Sequence, residues 1–119
     1  MKKFLMGFKY AFDGIMYTIK NEINMKIHLL AVLIVTICGF VFHIGTLGFI
    51  ICIILFGLVL AGECFNTAIE ILNNMVVRMN KEERYIAAGH SKDTAAGGVL
   101  ILAICAAIIG FIIFIPKIF

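Results

Sequence analysis

Glu63, Asn66 and Glu70 stand in a stretch of chain that is otherwise almost wholly apolar. A charged side chain at the centre of a membrane span costs about 2.5–3.5 kcal/mol or more, so a span that keeps two needs a use for them. At about 100° per residue the three fall near 0°, 300° and 340°, a stripe roughly 60° wide on one helix face. Thr67 extends that face by about 40° on the other side. Glu63 lies seven residues from Glu70, about 10 Å by helical rise. Such a ladder can hold a metal-bound phosphate at one rung and a free carboxylate below it, at the depth of a lipid headgroup. Paired carboxylates suit Mg²⁺, which takes one or two of them together with nucleotide phosphates. The competing account is that the three side chains only hydrogen-bond between helices.

A second cluster is Ser91-Lys92-Asp93-Thr94. A lysine beside the carboxylates can neutralise phosphate oxygens in transfer, where positioning and charge stabilisation supply most of the catalysis. The alternative is an interfacial Lys-Asp pair that caps a helix. The chain has no GxxxxGKS/T loop, no GxGxxG and no HRD-type catalytic loop, so a nucleotide site here is of another kind. Cys38, Cys52, Cys64 and Cys105 lie in apolar runs without CxxC spacing, which argues for packing rather than for disulfides or a thiolate metal site. His28 reads as a satisfied interfacial histidine, His43 faces an outer turn, and His90 is the histidine singled out for nucleotide contact.

The elements that must position these residues follow from composition. Of 119 residues 63% are hydrophobic and 14% charged, with mean hydropathy +1.12. A chain of this length cannot hide so much apolar surface from water, so the bilayer is its medium. The net charge of +3 follows the membrane pattern and gives no ground for a nucleic-acid partner. Residues 1–26 read as amphipathic helix rather than a signal peptide, with a surface helix over 1–20 that recurs in Phe4, Phe8, Phe12, Ile15 and Ile19. Spans are expected at about 27–42, 47–72 and 95–115, the first continuing a helix through Asn21–Lys26 and the last stopping at Pro116. Residues 73–93 read as a polar connection. The fold expected is an all-α membrane protein, an N-terminal surface helix plus three spans, in a single domain over 1–119.

Lys and Arg set the orientation. Lys2, Lys3, Lys9, Lys20 and Lys26 precede the first span, Arg78, Lys81, Arg84 and Lys92 lie between the second and third, and Lys117 alone lies beyond the third. The N-terminus and the 73–93 connection are therefore expected in the cytoplasm, with the C-terminus outside. Glu22 then enters span one at the level of Glu70, and Lys92 stands beside both.

Glu63-Cys64-Phe65-Asn66-Thr67-Ala68-Ile69-Glu70 resembles the E-x-x-N-S/T-A-I-E signature of the small prokaryotic diacylglycerol kinases. Lys92-Asp93-Thr94-Ala95-Ala96-Gly97-Gly98-Val99-Leu100 is similar to their K-D-x-A-A-G-A-V-L stretch. Asn21-Glu22-Ile23-Asn24-Met25-Lys26-Ile27-His28-Leu29 resembles the N-E-x-N-M-R/K-I-H-L segment of the Gram-positive, undecaprenol kinase branch. The resemblance implies a homotrimeric bundle that moves the γ-phosphoryl group of ATP to a membrane lipid alcohol. It implies Glu63 as general base on the lipid hydroxyl, Asn66 orienting the centre, and Glu22 and Glu70 holding Mg²⁺ and, through it, ATP. Lys92, Asp93, Tyr10 and Glu83 would contact ATP. Undecaprenol is the favoured acceptor, with diacylglycerol as the alternative. The chain departs from the family pattern at Asn74, where an aspartate is usual, at Ile23, and in a longer connection before Lys92, where only Glu83-Arg84-Tyr85 echoes an E-Y-H segment. Two rivals come from other classes: a small proton-coupled exporter with Glu63 as its relay, and a non-catalytic assembly or pore-forming protein.

Overall fold

In a computed structural model the chain forms four helices in the order α1 (Lys2–Asn21), α2 (Ile23–Val41), α3 (Gly45–Arg78) and α4 (Glu82–Ile118). The structure describes residues 1–78 and 82–119, with side chains from residue 88 onward in the second stretch. Three of the helices are long and apolar enough to cross a bilayer, over Ile23–Val41, Gly45–Arg78 and Ala88–Ile118. The most enclosed of their apolar windows has only 17% of its residues buried within the chain. Lipid or other protein must cover the rest, because water would not tolerate it.

α1 carries Phe4, Phe8, Phe12 and Ile15 as exposed apolar side chains at helical spacing, as an interfacial helix does. A continuous helix through 21–26 is not what forms. The chain breaks at Glu22, whose backbone is extended at φ −109° and ψ 119°. Side chains near the break compete for helix carbonyls: Asn21 Nδ2 donates to Tyr17 O at 2.9 Å and Thr18 Oγ1 to Gly14 O at 3.0 Å. Lys26 Nζ reaches back to Lys20 O at 3.2 Å, a cation on the negative end of α1. The break lets α1 turn away while α2 descends, and Glu22 sits at the corner.

α2 and α3 are joined by a turn in which His43 (φ 54°) and Gly45 (φ 80°) are left-handed. Glycine takes that backbone freely, and Ile44 N–H closes the turn on Gly39 O at 3.2 Å. The Phe49 ring lies so close to Gly39 that a Cβ there would meet it at 2.8 Å.

α3 and α4 overrun the spans read from hydropathy: 45–78 against 47–72, and 82–118 against 95–115. Most of the expected polar connection is helical. Apolarity marks where lipid ends, whereas backbone hydrogen bonding carries on into water, here supported by side-chain contacts between the two helices. α4 also runs through Pro116 to Ile118, forgoing one hydrogen bond in its final turn, and Phe119 N–H still reaches Ile115 O at 3.1 Å.

Candidate functional site

The buried face of α3 consists of Gly48, Cys52, Glu63 and Thr67. By helical rotation these lie at about 300°, 340°, 0° and 40°, the same stripe that carries the polar residues. Polarity and burial coincide, so the carboxylate ladder faces the other helices. Glu63 is fully buried at 0% exposure, and both of its carboxylate oxygens lack a hydrogen-bond partner, as does the Thr67 hydroxyl. Unpartnered buried oxygens are costly and rare, and at this depth they point to a function.

Seven residues up α3, Glu70 Oε1 is 3.8 Å from Lys92 Nζ on α4. The same ammonium group donates to Asn74 Oδ1 at 3.5 Å, and Asn73 Nδ2 donates to Ser91 Oγ at 3.0 Å. These contacts join the C-terminal part of α3 to the N-terminal part of α4. Burial at the α1–α2 corner pushes the Glu22 carboxyl above the usual carboxylate range, and the negative charges of Glu70 and then Glu63 push it the same way. The corner is closed by Thr18 and Met25, both buried. Three carboxylates from two elements therefore share one electrostatic field, which Lys92 balances only in part.

A divalent cation fits that imbalance. No group of three or more His, Cys, Asp or Glu side chains closes around a single metal position among the described residues. Mg²⁺ does not need one, since it binds through one or two carboxylates, waters and nucleotide phosphates. Glu22 and Glu70 are the residues able to hold it.

The structure brings Glu22, Glu63, Glu70 and Lys92 together, with Asn66 half-buried on the same face of α3. Asp93 is exposed on α4 beside Lys92. Tyr10 stands exposed on α1, 63% accessible, with Lys9 Nζ 6.0 Å from its ring centroid, and is not drawn into the cluster of its own chain. The side chain of Glu83, with Arg84 and Tyr85, lies outside the described residues. His90 is exposed, and only its backbone carbonyl is engaged, by Thr94.

His28, expected to be a satisfied interfacial histidine, turns into the bundle: its side chain is 18% exposed and Nε2 lies 3.7 Å from Glu63 Oε2. It also lines an apolar cavity of about 510 Å³ between α2, α3 and α4, walled by residues such as Val35, Phe56, Ala106 and Phe114 and reaching Ile118 at the C-terminal end of α4. The arrangement thus joins a lipid-depth apolar cavity, a buried carboxylate and a cation-ready charge cluster in one line.

Comparison with known proteins agrees with that chemistry. The family described as Prokaryotic diacylglycerol kinase matches residues 9–114, which contain every site residue named above. Undecaprenol kinase of Bacillus subtilis (strain 168) is 33% identical over 117 residues, covering 98% of this chain and 92% of that protein. Diacylglycerol kinase of Synechocystis sp. (strain ATCC 27184 / PCC 6803 / Kazusa) is 30% identical over 113 residues, covering 95% of this chain and 63% of that protein. No solved structure matches significantly. The chain belongs to the prokaryotic diacylglycerol kinase family and is a membrane lipid kinase, and the exporter and scaffold readings give way.

Proposed function

We propose that the chain phosphorylates undecaprenol with ATP and Mg²⁺, acting as a homotrimer in the bacterial plasma membrane with the N-terminus and the α3–α4 connection in the cytoplasm. The observation that carries this reading is Glu63, a buried carboxylate with unpartnered oxygens, 3.7 Å from the His28 side chain that lines an apolar cavity. The likeness to the Bacillus subtilis undecaprenol kinase over nearly both full lengths supports the choice of alcohol. A cavity without acidic or basic side chains, apart from His28 at its head, also suits a hydrocarbon tail.

In the reaction, a Glu63 carboxylate oxygen accepts the proton of the lipid hydroxyl as its oxygen forms a bond to the γ-phosphorus of ATP. The bond between that phosphorus and the β,γ-bridging oxygen breaks, leaving ADP and the lipid phosphate; the proton on Glu63 then returns to solvent. Asn66, half-buried one turn from Glu63, orients the reacting centre. Glu22 and Glu70 would hold Mg²⁺, which when bound offsets the charge of the ATP phosphates. Lys92 is drawn toward the same place by Glu70 and neutralises phosphate oxygens. Asp93, Tyr10 and Glu83 complete the ATP contacts; Tyr10 is exposed in the single chain, so a neighbouring copy or ATP itself would cover it.

Purified protein in micelles, given ATP, Mg²⁺ and each lipid alcohol separately, tests this. Phosphate transfer to undecaprenol at a kcat/KM at least tenfold above that for diacylglycerol is expected. A preference for diacylglycerol overturns the choice of alcohol, and no transfer to either overturns the reading.

A further inference from the structure

Glu63 poses a problem that its assigned role does not solve. A carboxylate with no exposure and no hydrogen bond has nothing to fix which oxygen faces the substrate. Among the described charged or titratable groups, Glu22 and Glu70 carry the same charge as Glu63, and Lys92 is engaged with Glu70 and Asn74. The one group of suitable character facing it is His28, whose Nε2 is 3.7 Å from Glu63 Oε2. That distance is slightly beyond a hydrogen bond, and a small side-chain rotation closes it.

His28 holds a second position at once. It lines the apolar cavity between α2, α3 and α4, whose other lining residues are aliphatic, aromatic, glycine or cysteine. A lipid tail seated in that cavity brings its hydroxyl to the end where His28 and Glu63 meet. The imidazole therefore stands between the base and the path of the alcohol.

We propose that His28 is a positioning residue for the base: Nε2–H donates to Glu63 Oε2, fixes the rotation of the carboxylate, and leaves Oε1 free for the lipid hydroxyl. His28 transfers no proton in this scheme. The inference rests on the lipid kinase reading with Glu63 as base.

The test is steady-state kinetics of full-length protein in micelles with ATP, Mg²⁺ and undecaprenol, comparing wild type with H28L, H28Q and H28N. Glutamine places its amide nitrogen near the position of Nε2, whereas asparagine places it near Nδ1. H28L is expected to lose tenfold or more in kcat with KM for ATP unchanged, and H28Q to recover most of that loss while H28N does not. A merely structural histidine would instead give equal losses in H28Q and H28N that track the folded fraction. Should H28L fail to assemble, the H28Q and H28N pair decides: equal kcat in the two overturns the proposal. An active wild type with unchanged kcat in H28L overturns it as well, leaving the kinase reading intact. A wild type inactive on every lipid alcohol overturns both.

Discussion

The two ends of the helix bundle are held by different forces. Beside the α2–α3 turn the side chains meet through shape: the Phe40 and Phe49 rings lie 4.8 Å apart, and Gly39 leaves the space that Phe49 fills. At the opposite end α3 and α4 meet through Lys92, Glu70, Asn74, Asn73 and Ser91, with Glu22 and Glu63 close by. Apolar contact is non-directional and suits a joint that must simply stay closed. Charged contact is directional and can be exchanged for a substrate's phosphates. Substitutions beside the α2–α3 turn should therefore cost stability and spare chemistry, and those at the charged end should do the reverse.

The largest effect expected is at Glu63. Glu63→Gln keeps the size of the side chain and removes the proposed base, so turnover should fall by about 10²–10⁴-fold, with ATP binding retained in a nucleotide-binding assay. Next is Lys92→Met, which removes the cation beside Glu70. A loss of about 10²-fold in kcat/KM for ATP is expected, with unfolding in micelles little changed. An activity loss in Lys92→Met that merely follows a loss of folded protein would break the contrast between the two ends.

Gly39→Ala probes the opposite end. Its Cβ would press on the Phe49 ring, and the repacking should cost about 1–3 kcal/mol, less up to about 1 kcal/mol of regained helix propensity. Thermal unfolding in micelles should show the loss, while kcat per folded molecule stays within about twofold of wild type.

The pH dependence sharpens the charged end. The Glu22 carboxyl titrates above the usual carboxylate range because of burial first, then Glu70, then Glu63. A raised carboxylate in the folded state means that ionising it opposes folding, so its contribution to stability improves as pH falls through its folded pKa. Metal binding runs the other way, since Mg²⁺ needs the ionised form. The apparent KM for Mg²⁺ should thus rise as pH falls into the Glu22 range. Glu70→Gln removes one charge neighbour and should move that limb to lower pH while weakening Mg²⁺ at every pH. The smallest effect is Asn73→Ala, which loses an exposed hydrogen bond to Ser91 and should cost about 1 kcal/mol or less.

The sequence allowed the surface helix, the three spans and the inward face of span two to be read, because burial in lipid leaves a strong apolar signal and a carboxylate within it is conspicuous. Helix ends were less legible. Asn73, Asn74 and Ser91 look like loop residues by composition, yet they continue helices whose backbone bonds do not depend on apolarity. The break at Glu22 depends on local side-chain competition for carbonyls, which hydropathy does not register. His28 was legible by the rule that marked Glu63, since a polar group inside a span asks for a partner. The sequence does not say which partner satisfies it, and the packing of α2 on α3 places it against the carboxylate.

The central claim is that Glu63 serves as the base for transfer from ATP to a lipid alcohol. Its most direct test is single-turnover transfer of labelled γ-phosphate to undecaprenol by wild-type and Glu63→Gln protein loaded with ATP and Mg²⁺. Label should pass to lipid in the wild type and remain on bound ATP in the variant. Transfer by the variant within tenfold of the wild-type rate would contradict the claim.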